Sequence, residues 1–167
     1  KKIQKYAQEN GVVLKYSRLS GYRFYGVERM VRQLIQHSIL ALLYQPTTKE
    51  LMVKLLNQFS TYFYLRVMTD IRQFLKNHRL TVVPSRIEET IYFLAFVIIR
   101  SSAHPIVLTE KEMSVLNHLI IKKKVVALVH HFPSVINQEA ETSYWAMVLM
   151  GMIQAKVREY GTEFLYD

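Results

Sequence analysis

The sequence predicts an all-α helical bundle preceded by a short N-terminal β-hairpin. Three observations carry that expectation. Half of the 167 residues are apolar, and only five glycines and four prolines interrupt them, so long segments free of breakers are available for a packed core. Apolar residues recur at three-and-four spacing through most of the chain, the repeat that puts them on one helix face. Near the N-terminus, two β-branched or aromatic runs flank a turn.

Lys1 to Asn10 reads as the end of a helix stopped by Asn10-Gly11. Val12 to Tyr16 and Tyr22 to Tyr25, with Leu19-Ser20-Gly21 between them and Gly26 after, read as the hairpin. A helix follows from about Val27 to Tyr44, with Val27, Met30, Val31, Leu34, Ile35 and Leu42 on one face, and Pro46 stops it. Thr48 is expected to cap a helix to about Phe59, with Leu51, Leu55 and Leu56 turned inward. The next covers roughly Tyr62 to Asn77. After Pro84, Ser85 and Glu88 have capping-box spacing, and the helix to Arg100 is apolar nearly all round, which suits the middle of a bundle. Thr109 and Glu112 repeat the capping box, opening a helix to about His131. The last long helix runs from about Gln138 to Gln154, which makes about six helices after the hairpin.

Composition narrows the chemistry. The chain has no cysteine, which excludes disulfides, thiolate metal sites and thiol nucleophiles. The apolar runs Ile91 to Ile99 and Tyr144 to Ile153 are far shorter than the roughly 20 residues a spanning helix needs. With a polar, basic N-terminus and no secretory leader pattern, a cytoplasmic location without membrane contact is expected. There is no Gly-rich phosphate loop, nucleophile elbow or His-Glu-x-x-His motif, so the expectation is a non-enzymatic chain with neither cofactor nor metal. His130-His131 is the one adjacent histidine pair, and neighbours on a helix diverge by about a hundred degrees. A helix terminus where imidazolium meets the carbonyl dipole explains the pair better than a metal does. Glu88, Glu89, Glu139 and Glu141 read as caps and surface residues.

The charge is lopsided. Of a net +9, residues 1 to 37 hold eight basic residues against two acidic ones, so six of the nine excess positive charges lie there. A solvated basic arm and a segment adjoining a nucleic-acid-binding module both account for this. Lys122, Lys123 and Lys124 read as a solvated helix face.

Three segments, in order, carry a family resemblance. Gly21-Tyr22-Arg23-Phe24-Tyr25-Gly26-Val27-Glu28-Arg29-Met30-Val31-Arg32 resembles the Gly-Tyr-x-Leu-x-Gly-x-Glu-x-x-x-Arg segment that joins helix-turn-helix to regulatory domain in the bacterial regulators with phosphotransferase-system regulation domains (PRDs). These include the BglG-type antiterminators and the mannitol- and lichenan-type operon activators; the Mga-type virulence regulators carry divergent copies. Ile91 to Arg100 resembles the family's His-x-x-Phe-Ala-Ile-x-Arg helix through Phe96, Ile98 and Arg100, and Glu141 to Gly151 resembles its Glu-x-x-Tyr-Leu-Ala-Leu-His-Leu-Leu-Gly segment. Gly21, Tyr22, Gly26, Glu28, Arg32, Arg100, Glu141 and Gly151 are the matching positions.

The resemblance implies a PRD-like regulatory domain over residues 27–154. It would follow a region, 1–26, that ends a helix-turn-helix module, and would precede a linker, 155–167, to a further domain. It implies a homodimer that modulates DNA binding (or RNA binding) through a module upstream, with phosphotransferase-system proteins engaged through another domain. The departures are pointed: the two phosphoacceptor histidines of the family fall at Phe93 and Val148, and Tyr92 stands where an acidic residue often precedes the first. Neither Phe93 nor Val148 offers a nucleophilic nitrogen. His104, His130 and His131 are the candidates for a displaced acceptor. The alternative is an all-helical nucleic-acid-binding or protein-interaction module without phosphotransferase linkage.

Overall fold

A computed structural model describes residues 2–153, so the expected linker over 155–167 lies outside the described residues. The chain runs α1 (Lys2–Glu9), β1 (Val13–Ser17), β2 (Gly21–Tyr25), α2 (Glu28–Leu43), α3 (Thr48–Asn57), α4 (Phe63–Asn77), α5 (Pro84–Ser101), α6 (Glu110–Asn117), α7 (Lys122–His130) and α8 (Gln138–Met150). The mostly helical class and the hairpin are as expected.

The two strands pair antiparallel, with Val13 opposite Tyr25 and Ser17 opposite Gly21. Gly21 turns the chain at φ 64, a left-handed conformation that glycine takes without steric cost. Gly26 sits at φ 155, and a Cβ there would come within 3.1 Å of the Gly11 carbonyl oxygen, so the exit from the hairpin needs this glycine. Leu14 and Phe24 are half-buried against Ala7, Val12, Val31 and Leu34, which together form a small apolar cluster between α1, the hairpin and α2.

The main core is built around α5. Ile91, Phe93, Leu94, Val97 and Ile98 are buried with Val67 and Ile71 of α4, Val125 and Leu128 of α7, and Trp145 and Leu149 of α8. Ile35 of α2 packs against both clusters. After α8 the chain returns to the start of α5, where the Val83 amide donates to the Met152 carbonyl at 2.8 Å.

Four local expectations are corrected. The helix expected from Thr109 to His131 breaks into α6 and α7 between Asn117 and Lys122. α6 has no fully buried residue, whereas α7 buries Val125, Leu128 and Val129, and one straight helix could not serve both positions. The Thr109–Glu112 capping box does form, but the Ser85–Glu88 box does not. Pro84 occupies the first helical position, its fixed φ favours starting there, and Ser85 therefore lies inside the helix. Thr48 does not cap α3; its hydroxyl donates to the Gln45 carbonyl at 2.8 Å and also to Leu42, tying the end of α2 to the start of α3. On α3, Met52 and Leu56 face the core, while Leu51 and Leu55 are 55% and 42% exposed. The stripe from Leu51 to Leu56 is wide enough to present either edge, and packing against α4 chose one.

This choice of face has a measurable consequence. Leu56→Ala should lower the unfolding free energy by about 2–5 kcal/mol in a urea titration. Leu51→Ala should change it by less than about 0.5 kcal/mol. Equal effects at the two positions would mean that α3 is rotated.

Candidate functional site

Four of the motif residues converge on one buried ion cluster. Glu28 opens α2 immediately after the hairpin, and Arg32 lies one turn further on, so the i,i+4 spacing brings them together. The Arg32 Nε donates to Glu28 Oε1 at 2.9 Å. Its two terminal nitrogens donate to Glu141 of α8 in a bidentate pair at 2.8 and 2.6 Å, and Nη2 also donates to the His104 carbonyl at 3.2 Å. Glu28 in turn accepts from Arg100, at the end of α5, at 2.8, 3.0 and 2.9 Å. The Ile106 amide, on the loop between α5 and α6, donates to Glu141 at 3.0 Å.

The cluster holds two guanidinium and two carboxylate groups, and its formal charges cancel. Arg32 and Glu141 are completely buried, whereas Glu28 and Arg100 are partly buried, with 12% and 19% of their side-chain surface exposed. Glu141 is thus neither a cap nor a surface residue; its partners are distant in sequence and only the fold assembles them. Burial pulls the Arg32 guanidinium toward its neutral form, but the hydrogen bonds and charge of Glu141, and then of Glu28, outweigh this and hold it above its ordinary pKa.

Tyr144 extends the cluster toward the core. The Arg32 guanidinium carbon lies 5.1 Å from the Tyr144 ring centroid, and that ring meets Phe93 edge-on at 6.5 Å. Phe93 is fully buried and Val148 half-buried, both in the main core. At position 93 an apolar ring fills the core against Tyr144 and presents nothing to solvent. Burial raises the pKa of the Tyr144 hydroxyl, with the neighbouring Arg32 acting in the opposite sense. Tyr144 lies within the Glu141 to Gly151 segment, but nothing in the sequence marks it as a partner of Arg32, because that contact links residues over a hundred positions apart.

The remaining sites predicted from sequence are scattered. His104, His130 and His131 are exposed. His130 ends α7 and His131 follows it, with the His131 carbonyl accepting from Arg66 at 3.1 Å. Gly151 follows the last residue of α8. Among the described residues, no group of three or more His, Asp or Glu side chains is placed to hold a metal ion, and no helix is long and apolar enough to cross a membrane. Glu89, read from sequence as a cap or surface residue, is only 6% exposed.

The hairpin presents a second kind of surface. No acidic residue occurs between Asn10 and Val27. Lys15, Arg18 and Arg23 are exposed together with Tyr16, Tyr22 and Tyr25, and Leu19 at the tip is 99% exposed. The Tyr16 and Tyr22 rings lie 5.0 Å apart, and the Lys15 ammonium sits 5.2 Å from the Tyr25 centroid.

Comparison of the chain with known protein families, with curated proteins and with solved structures finds no match.

Two outcomes follow from the cluster. Arg32→Ala, which strands Glu141 in the interior, should destabilise the fold by about 3–5 kcal/mol in chemical denaturation; a loss below 1 kcal/mol would show the pair to be solvated. Tyr144 is harder to ionise in the folded chain than in the unfolded one. Its stabilising contribution is therefore complete below the ordinary tyrosine value of 10.0 and is lost as pH rises above it. Thermal melts across pH 9 to 11 should show stability falling less steeply in Tyr144→Phe than in the parent chain.

Proposed function

We propose that this chain is the regulatory part of a bacterial transcriptional regulator of the PRD type, dimerising and modulating an attached nucleic-acid-binding module. The observation that carries the reading is the ion cluster. Glu28 and Arg32 sit at the foot of the hairpin, and their partners Arg100 and Glu141 sit on the two helices that resemble the family's phosphoacceptor segments. A change in how α5 and α8 pack would therefore be felt at the base of the hairpin, through the hydrogen bonds that join the four charged groups.

In this reading, the usual switch is missing from this copy. With Phe93 buried against Tyr144, and valine at 148, the chain takes no phosphate at the family positions. Control by phosphotransferase-system proteins then acts through another domain.

Two surfaces support the assignment of partners. Leu51 and Leu55 of α3 and Phe59, just beyond its end, follow one another at intervals of four and all are exposed, as are Tyr62 and Leu65 further along. A second copy of the chain would cover them, since exposed apolar side chains that gather into one patch mark interaction sites. The hairpin supplies cations and aromatic rings suited to the phosphate backbone of an adjoining nucleic acid, without the base-reading groups that give sequence preference.

Sedimentation with and without duplex DNA tests both. The chain alone at micromolar concentration should run as a dimer, and Leu55→Glu as a monomer. At low salt it should bind duplexes of unrelated sequence equally and weakly, with affinity falling steeply as salt rises. Lys15→Ala with Arg23→Ala should reduce the slope of that salt dependence by about two. A monomer at every concentration, or tight sequence-selective binding by this chain alone, would overturn the assignment.

A further inference from the structure

A cavity of about 430 Å³ lies between the C-terminal end of α2 and the first turns of α5. That volume is in the range of small-molecule sites, roughly 300–1,000 Å³. Leu40 and Leu43 give it an apolar wall, and Tyr44, which is 86% exposed, contributes an accessible ring. Arg86, Glu88 and Glu89 of α5 line the opposite side. None of these residues belongs to the ion cluster or to the hairpin.

The charges of the cavity are incompletely matched. Glu88 is paired with Lys49 at 2.8 Å. Glu89 is more than nine-tenths buried, yet its only bond among the described residues is a long one, 3.4 Å, from the Gln36 amide to Oε1. Its second oxygen has no protein donor there, and no cation lies within ion-pair distance. That oxygen is not sealed from water, since Trp145 Nε1 is the one buried side-chain polar atom without a hydrogen-bond partner among the described residues. Arg86, three residues earlier on the same helix, is exposed and makes no side-chain ion pair or hydrogen bond among the described residues. Besides the paired Glu88, one anion and one cation therefore line a single cavity, and neither has an ion-pair partner among the described residues.

From this arrangement we infer that the cavity binds a small zwitterion of the α-amino-acid type carrying an apolar side chain. Its ammonium group pairs with Glu89 and replaces the donors that carboxylate lacks. Its carboxylate pairs with the Arg86 guanidinium, which is suited to bidentate carboxylate recognition. Its apolar part lies on Leu40, Leu43 and the Tyr44 ring. Binding at this position would brace α2 against α5, the same two helices that Glu28 and Arg100 join further along.

The experiment is a calorimetric titration of the intact chain with three probes of matched skeleton: leucine, isoamylamine and 4-methylpentanoate. The first carries both charges, the second only the ammonium and the third only the carboxylate. Leucine should bind saturably and raise the melting temperature, with each single-charge probe at least about tenfold weaker. Glu89→Gln and Arg86→Ala should each weaken leucine binding by a similar factor. Without leucine, Glu89→Gln should nonetheless melt close to the parent temperature, because the carboxylate it replaces holds only one long hydrogen bond, and this shows that the variant is folded. The inference fails if none of the probes binds saturably, or if isoamylamine binds as well as leucine. It also fails if both variants bind leucine like the parent. A drop in melting temperature in both variants, without any leucine binding by the parent chain, would show that Arg86 turns inward to pair with Glu89, and would equally overturn it.

Discussion

Arg32 sits in the interior with no exposure to water, and everything around it is arranged to make that tolerable. Bringing a guanidinium out of water costs several kcal/mol even after relaxation, so it persists there only where its donors are answered. Four of its hydrogen bonds are accounted for by Glu28, by both oxygens of Glu141 and by the His104 carbonyl. Those partners come from the start of α2, from α8 and from the loop after α5. Their mutual placement is fixed by a residue that has no acceptable alternative position. Apolar packing alone tolerates small slides of one helix on another; a bidentate pair does not.

The same constraint explains how the N-terminal hairpin is mounted. Its own apolar contacts are few, since the cluster it forms with α1 and α2 has only four fully buried residues. A two-stranded hairpin is marginal by itself. It is held because α2 begins within two residues of Gly26 and is anchored at once, through Glu28, to Arg100. The hairpin can therefore expose aromatic and cationic side chains freely, as its position does not depend on burying them.

The core beyond the cluster is apolar, with aromatic rings set among aliphatic side chains. Tyr144 stands between the charged and apolar regions, with Arg32 near its ring on one side and Phe93 against its edge on the other. An imidazole at position 93 would occupy an interior site beside this ring. Phenylalanine suits that site, since it meets Tyr144 edge-on and carries no polar atom that would need a partner there.

Much of the architecture was legible in the sequence. The breaker-free apolar periodicity determined a helical bundle, the paired aromatic runs determined a hairpin, and Thr109–Glu112 determined a capped helix start, because each of these signals is local. Glu28, Arg32, Arg100 and Glu141 could be singled out by motif, but not joined. What only the tertiary structure decided were the outcomes that depend on distant neighbours: which edge of the α3 stripe is buried, where the helix after Thr109 breaks, and that Glu141 and Glu89 are interior. Each residue's spacing along the chain is compatible with more than one environment. Burial and charge pairing are properties of the space between elements, and that space exists only once the helices have packed.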